Sequence, residues 1–343
     1  MFCAAALPPN RSTPSQDPTP WVVYEGETGA GKGKHIVFVT GDEEYRSEEG
    51  MPQLAKILAT RHGFRCTVLF AIDPKTGEID PQVVDNIPGL EALRAADLMV
   101  IFTRFRDLPD DQMKHIVAYV DSGRPIIGLR TATHAFRFQK HTTYKHYGFG
   151  SKTWKQGFGR QILGETWINH HGGHGSQSTS GIIADGAAEH PILRGIKNGD
   201  VWDPSDVYGV RLPMLDGIRP LVMGAVLSGM NPDDKPLPPR TTDDGKIIDK
   251  NNPIMPVAWI RSRASKSGKE GRVFATTLGT SQGFEREGTR RLLVNACYWA
   301  VGLEDKIRPD SNVELVGKYE PSRFGFNAHK KGVRPRDHRM QSK

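Results

Sequence analysis

The run Arg124-Pro125-Ile126-Ile127-Gly128-Leu129-Arg130-Thr131-Ala132-Thr133-His134-Ala135-Phe136 reads as a short buried strand that turns sharply into a helical segment. Ile126 and Ile127 are β-branched and sit between a Gly-Arg-Pro lead-in and a glycine, the pattern of a strand covered on both faces. Gly128 permits close backbone approach. Arg130, Thr133 and His134 then gather polar groups at the strand's carboxyl end, the edge where open parallel α/β sheets bind ligands. A solvated strand-to-helix loop has the same composition, so this stretch alone leaves both readings open.

The same unit recurs on either side. His35-Ile36-Val37-Phe38-Val39-Thr40 reads as a strand ending in Gly41-Asp42-Glu43-Glu44-Tyr45-Arg46-Ser47. Ser47 suits the N-cap of a helix over 48–61, where Met51, Leu54, Ala55 and Leu58 fall at helical spacing. Strands are expected over 66–72 and 97–102, a short helix over 89–96 and a longer one from Asp110 or Asp111 to 122. Further on come a short helix at 158–163, strands at 205–212 and 220–227, a hairpin at 256–261 and 271–278, and a closing helix over 289–301. Residues 229–253, rich in Pro, Asp and Lys, read as an inserted surface loop. Strands alternating with helices argue for a mostly parallel, doubly wound α/β sheet.

Charge and cysteine usage narrow the function classes. The net charge of +7 is concentrated in 318–343, where eight lysines and arginines face only Glu320 and Asp337, so the body is close to neutral. Such a tail reads as a solvated extension, and no nucleic-acid partner is expected. Cys3, Cys66 and Cys297 are odd in number and show no CxxC or Cys/His spacing, so no disulfide framework is implied, and Cys66 and Cys297 read as buried hydrophobes. No apolar run reaches the roughly 20 residues of a membrane span. The apolar start MFCAAAL lacks a basic n-region; the compartment stays open, with export expected if this is the remnant of a truncated signal peptide. Residues 1–34 are therefore expected to be disordered or processed, 35–305 to form one domain, and 306–343 a basic extension.

Two further motifs need weighing. Gly26-Glu27-Thr28-Gly29-Ala30-Gly31-Lys32 matches GxxxxGK, yet Gly33 stands where a Ser or Thr would hold Mg²⁺ and the glycines precede the strand instead of following it. Trp167-Ile168-Asn169-His170-His171-Gly172-Gly173-His174 places three histidines within five residues. The intervening glycines and the lack of an anchoring helix argue against a preformed tetrahedral metal site, so no metal and no cofactor is expected, and a histidine facing the pocket from a short strand is the preferred reading.

Val-Phe-Val-Thr-Gly-Asp-Glu-Glu-Tyr at 37–45, Gly-Leu-Arg-Thr-Ala-Thr-His at 128–134, His190-Pro191-Ile192-x-Arg194-Gly195, Pro256-Val257-Ala258-Trp259, Gly271-Arg272-Val273-Phe274 and Arg290-Arg291-Leu292-Leu293-x-Asn295 form a combination that resembles the ThuA-like, or trehalose-utilisation, family. The resemblance spans 35–303 and implies a three-layer, flavodoxin-like fold of the class I glutamine amidotransferase-like type. Aligned with the amidotransferase elbow Gly-x-Cys-x-Gly-x-Gln/His, the turn starts at Gly128 and ends at His134, so Arg130 stands where the nucleophilic cysteine would. A guanidinium has no nucleophilic atom, and the later His-x-Glu falls on Thr280-Ser281-Gln282, so glutaminase chemistry is excluded.

The expected cleft combines carboxylates, arginines and imidazoles, groups that hydrogen-bond vicinal hydroxyls. Glu44, Arg130, His134 and His170 are the candidate catalytic residues, with Glu44 or His134 as general acid/base and Arg130 as stabiliser of developing negative charge. Asp42, Glu43, Tyr45, Arg104, Arg106, Thr133, His171 and Trp167 are the candidate substrate-binding residues. Acidic enrichment beside a helix start explains 42–44 equally well. The resemblance supplies the partner class, a small-molecule carbohydrate of the trehalose or keto-sugar type. It leaves open a hydrolase, lyase or isomerase on the one hand, a non-catalytic sugar-binding protein on the other, and homo-oligomerisation.

Overall fold

Alternation along β2 (His35–Gly41) sets the layering: Ile36 and Phe38 face one side of the sheet, Val37 and Val39 the other, and all four are fully buried. Because side chains alternate with a period of two, this is the pattern of a strand covered on both faces. Helices α1 (Ser47–His62) and α3 (Glu287–Ala300) cover the Ile36/Phe38 side through Met51, Leu54, Leu58, Leu292 and Leu293. Helix α2 (Asp110–Asp121) covers the other through Met113, Ile116 and Tyr119. The computed structural model describes residues 19–266 and 268–340.

Ten strands make up the main sheet: β1 (Trp21–Tyr24), β2, β3 (Arg65–Leu69), β4 (Leu98–Thr103), β5 (Ile126–Leu129), β6 (Thr179–Ile183), β7 (Trp202–Asp203), β8 (Ile218–Val226), β11 (Met255–Ala264) and β12 (Glu270–Thr276). Their order is β1-β3-β2-β4-β5-β12-β11-β8-β6-β7. The strands from β3 through β12 run parallel, whereas β1 and the β11-β8-β6-β7 wing are antiparallel. The fold is thus the expected three-layer α/β type with a parallel core. β9 (Arg240–Thr241) and β10 (Ile247–Ile248) form a small separate ribbon inside the expected surface loop.

Several local expectations are corrected. The stretch after β5 makes one 3-10 turn, Arg130–His134, and no longer helix. Phe105 and Arg106 donate backbone N–H bonds to the His134 and Ala135 carbonyls, which draws the chain into an extended course. Residues 205–212 form no strand; a single bridge joins Tyr208 to His170. Ser47 does not cap α1. Its hydroxyl accepts from the Gly41 and Asp42 amides at 3.2 and 3.0 Å, pinning the helix start to the end of β2.

The chain ends also differ from expectation. Residues 1–18 lie outside the described residues, but β1 pairs with β3, so the segment expected to be disordered or processed contributes an edge strand. The basic extension packs back onto the domain: Tyr319 donates to the Ser281 carbonyl at 2.6 Å, and Tyr24 donates to the His338 carbonyl at 2.7 Å. Phe324 and Val313 join the core. The GxxxxGK stretch is fastened to the end of α1, with the Gly31 amide bonded to the His62 carbonyl at 2.8 Å.

Candidate functional site

Arg130 follows β5 with φ 42°, a left-handed conformation that costs an L-residue roughly 1–2 kcal/mol. Its side chain points inward and is fully buried. One guanidinium nitrogen donates to the carbonyls of Asp206 and Thr277, both at 2.7 Å; the other donates to Asp206 Oδ1 at 2.9 Å and to the Tyr45 hydroxyl at 3.1 Å. The Tyr208 and Tyr45 rings flank it at 3.7 and 4.4 Å. Arg130 therefore does not line the cleft, as the sequence led us to expect. It anchors Asp206.

Asp206 is the pivot of the site. While Oδ1 is held by Arg130, His170 Nδ1 lies 2.8 Å from Oδ2 and His174 Nδ1 lies 3.2 Å from Oδ1. Burial pushes the Asp206 carboxyl up, but the Arg130 guanidinium and the two imidazole hydrogen bonds outweigh it and hold it below the usual carboxylate range. On its other side His174 reaches Glu44 Oε1 at 3.1 Å. Hydrogen bonds to Asp206 and Glu44 raise the His174 imidazole to about 9. Both imidazoles remain 37% exposed, so the buried carboxylates meet solvent through them.

The other expected site residues divide into supports and cleft walls. Asp42 is fully buried and accepts from the Glu44 amide at 2.7 Å and from the Thr131 hydroxyl; burial, with Glu43 beside it, pushes its carboxyl up to about 6. Arg106 is also fully buried, spent on the Pro81 and Val83 carbonyls and on Glu43 Oε2 at 2.8 Å. Thr133 bonds back to the Arg130 carbonyl at 3.1 Å. All three are buried with their polar atoms engaged inside the protein. Tyr45, buried as well, packs against Arg130.

His134 is enclosed. It is 4% exposed and boxed by Phe105, Phe149, Trp167 and Tyr208, and burial followed by the charges of Arg104, Arg130 and Arg137 drives its imidazole well below the usual histidine range. A neutral, enclosed ring is a poor general acid. His171 turns away from its neighbour, with Nε2 2.6 Å from the Lys250 carbonyl. Glu43 binds Arg104, and Arg104 in turn lies over the Phe105 and Phe326 rings at 4.6 and 4.9 Å. Trp167 stands edge-on to His170 at 5.6 Å.

Of the residues singled out from sequence, Glu44 and His170 meet at one place, with Glu43, Arg104 and Trp167 around them. The sequence reading missed His174 as a site residue, although it lies in the histidine run, and missed Asp206, which is 32 residues further on. It also missed the C-terminal segment. Phe324 stacks on Tyr45 at 5.4 Å and comes within 5.8 Å of His174, and the Gly325 amide bonds to the Glu44 carbonyl at 2.7 Å. A separate cavity of about 190 Å³ beneath this segment is lined by Glu48, Gln53, Lys56, Tyr319 and His338, away from Asp206.

A ThuA-like protein from Bacteroides uniformis superposes with a TM-score of 0.43 at 14% identity, covering 83% of this chain and 98% of its own. One from Parabacteroides merdae gives 0.46 at 13% identity, covering 90% and 100%. A cytoplasmic protein from Salmonella typhimurium gives 0.39 at 11% identity, covering 78% and 98%. No curated protein matches by sequence. Among the described residues, no helix is long and apolar enough to cross a membrane. The sequence profile of the ThuA family, described as trehalose utilisation, matches residues 35–300, and the chain belongs to that family.

Proposed function

We propose that this ThuA protein is an enzyme acting on a polyhydroxylated carbohydrate, a trehalose-type disaccharide or a keto-sugar, in the cleft bounded by Glu44, His170, His174, Arg104 and Trp167. The observation that carries the reading is the continuous Glu44–His174–Asp206–His170 chain at the carboxyl edge of the parallel strands, buried at its carboxylates and open at its imidazoles. That edge is where this class of sheet binds ligands. Glu44 is the group assigned to move a proton at the sugar, its carboxylate 3.1 Å from His174 and 3.8 Å from the Arg104 guanidinium. Arg104 supplies donors to vicinal hydroxyls, while Trp167 and the half-exposed Phe326 ring offer apolar faces to a pyranose. Arg130 serves the same chain from behind, through Asp206.

The test is incubation of the protein with trehalose, sucrose and their 3-keto derivatives, followed by NMR. Turnover of at least one, abolished by Glu44→Gln, is expected. Arg130, which has no nucleophilic atom, favours a second reading: a sugar-binding protein without turnover. It would show ligand-induced thermal stabilisation with the sugar recovered intact. Neither turnover nor stabilisation with any of these sugars overturns both readings.

A further inference from the structure

We propose that His170, His174 and Asp206 form a binding site for a divalent transition-metal ion. One ligand atom from each of the three residues can be chosen so that all lie within 4.8 Å of one another. Donor atoms about 2.0–2.2 Å from a common centre lie roughly 3–4 Å apart, so release of one proton from His174, whose two nitrogens face Asp206 and Glu44, with a small inward adjustment of the two partly exposed imidazoles, completes the set. Two imidazoles and one carboxylate suit zinc, manganese or ferrous ions better than calcium or magnesium, which favour all-oxygen shells.

The surroundings resemble the outer shell of an open metal centre. Such carboxylate ligands are usually held from behind by a hydrogen-bond donor. Asp206 is held in this way, with Arg130 on Oδ1 at 2.9 Å and Oδ2 turned to His170 at 2.8 Å. Trp167 and Tyr208 stand edge-on to the His170 ring at 5.6 Å each and fix its plane. Glu44 adds a second negative charge at 3.1 Å from His174, offsetting the Arg130 cation that would otherwise oppose an ion. With only three protein donors and an exposed outer face, positions remain for water or a sugar oxygen, the arrangement of catalytic and not of structural sites. Use of the ion on a sugar rests on the carbohydrate reading above; its binding does not.

Isothermal titration of tag-free, chelator-treated protein at pH 8 with zinc, manganese and magnesium chlorides, in the absence of sugar, tests the site. One zinc or manganese ion per chain is expected, with magnesium much weaker. His170→Ala and His174→Ala should each weaken binding about tenfold or more, as loss of even outer-shell partners does in known sites. His171→Ala, adjacent in sequence but bonded to the Lys250 carbonyl, should leave it within about twofold of the parent. Circular dichroism confirms that each variant is folded, and since both target imidazoles are partly exposed, folding should survive. No saturable binding, or binding lost equally in His171→Ala, or retained in both His170→Ala and His174→Ala, overturns the proposal. Saturable ion binding together with neither turnover nor stabilisation in the sugar assay would instead count against the carbohydrate reading alone.

Discussion

Replacing Arg130 by Met keeps an unbranched side chain between Tyr45 and Tyr208 and removes only the charge and its hydrogen bonds. The structure assigns those bonds to the carbonyls of Asp206 and Thr277, to Asp206 Oδ1 and to the Tyr45 hydroxyl. Because Arg130 and Asp206 are both fully buried, solvent does not screen the pair. Removing one partner of a buried pair costs about 3–5 kcal/mol, most of it from the charge left behind. His170 and His174 still donate to Asp206, which argues for the lower end, while two orphaned carbonyls add roughly 1 kcal/mol or more each. A loss of about 5 kcal/mol in denaturant unfolding at pH 7 is therefore expected. Asp206→Asn in the Arg130→Met background should cost much less than the two changes summed, giving a coupling of roughly 2 kcal/mol or more. A loss below about 1 kcal/mol for Arg130→Met, or no coupling in the cycle, would refute the assignment of Arg130 as the anchor of Asp206.

Three other outcomes follow from the packing. Glu48 is buried, with one oxygen unpartnered and the other 3.4 Å from Arg46, and burial pushes its carboxyl up to about 8. Its folded pKa lies above its unfolded value, so its ionisation erodes stability as pH rises from the ordinary carboxylate range to about 8; Glu48→Gln should be stabilising by about 1–3 kcal/mol at pH 8 and nearly neutral at pH 4, and an equal effect at both would be contrary. Gly128→Ala sets a Cβ 2.5 Å from Leu163 Cδ1 in the β5 layer and should cost about 1–3 kcal/mol by urea unfolding; a neutral effect would mean that Leu163 has room to move. Phe324→Ala removes the ring that fixes the C-terminal segment on Tyr45, so trypsin should cleave at the exposed Arg323 several-fold faster while the main unfolding midpoint moves less, and an unchanged cleavage rate would show that backbone bonds alone hold the segment.

Which parts of this molecule were readable in sequence follows from the range of the interactions involved. β2, β4, β5 and α1 announce themselves because alternating or helical burial is a local pattern: Ile36 and Phe38 against Val37 and Val39, Met51 with Leu54 and Leu58. The β11–β12 hairpin was equally legible. β1 was not, since its only signature is four residues whose partner β3 lies about forty positions away. The composition of 318–343 gave eight cations and no periodicity, while its actual anchors are single aromatic and backbone contacts at Tyr319, Phe324 and Gly325. Within the site, the turn at Arg130 was located correctly, but burial decides what its polar groups do, and burial is a tertiary property. Asp42, Arg106, Arg130 and His134 carry reactive groups in sequence and are enclosed in structure.

The position of Arg130 gives this distribution a cause. A strained turn at the end of a central strand holds its side chain rigidly, whatever that side chain is. With a cation there instead of a nucleophile, the turn fixes a carboxylate from the neighbouring loop, and Asp206 becomes oriented by a residue with no way to lose its charge. The accessible polar atoms then lie one layer further out, on His170 and His174, with the buried Glu44 carboxylate behind His174. The available polar groups therefore lie outward of the strand end, on the glycine-containing 170–175 loop. Variants at His170 and His174 should consequently alter ligand or ion binding with little loss of stability, whereas variants at Arg130 should lose stability first.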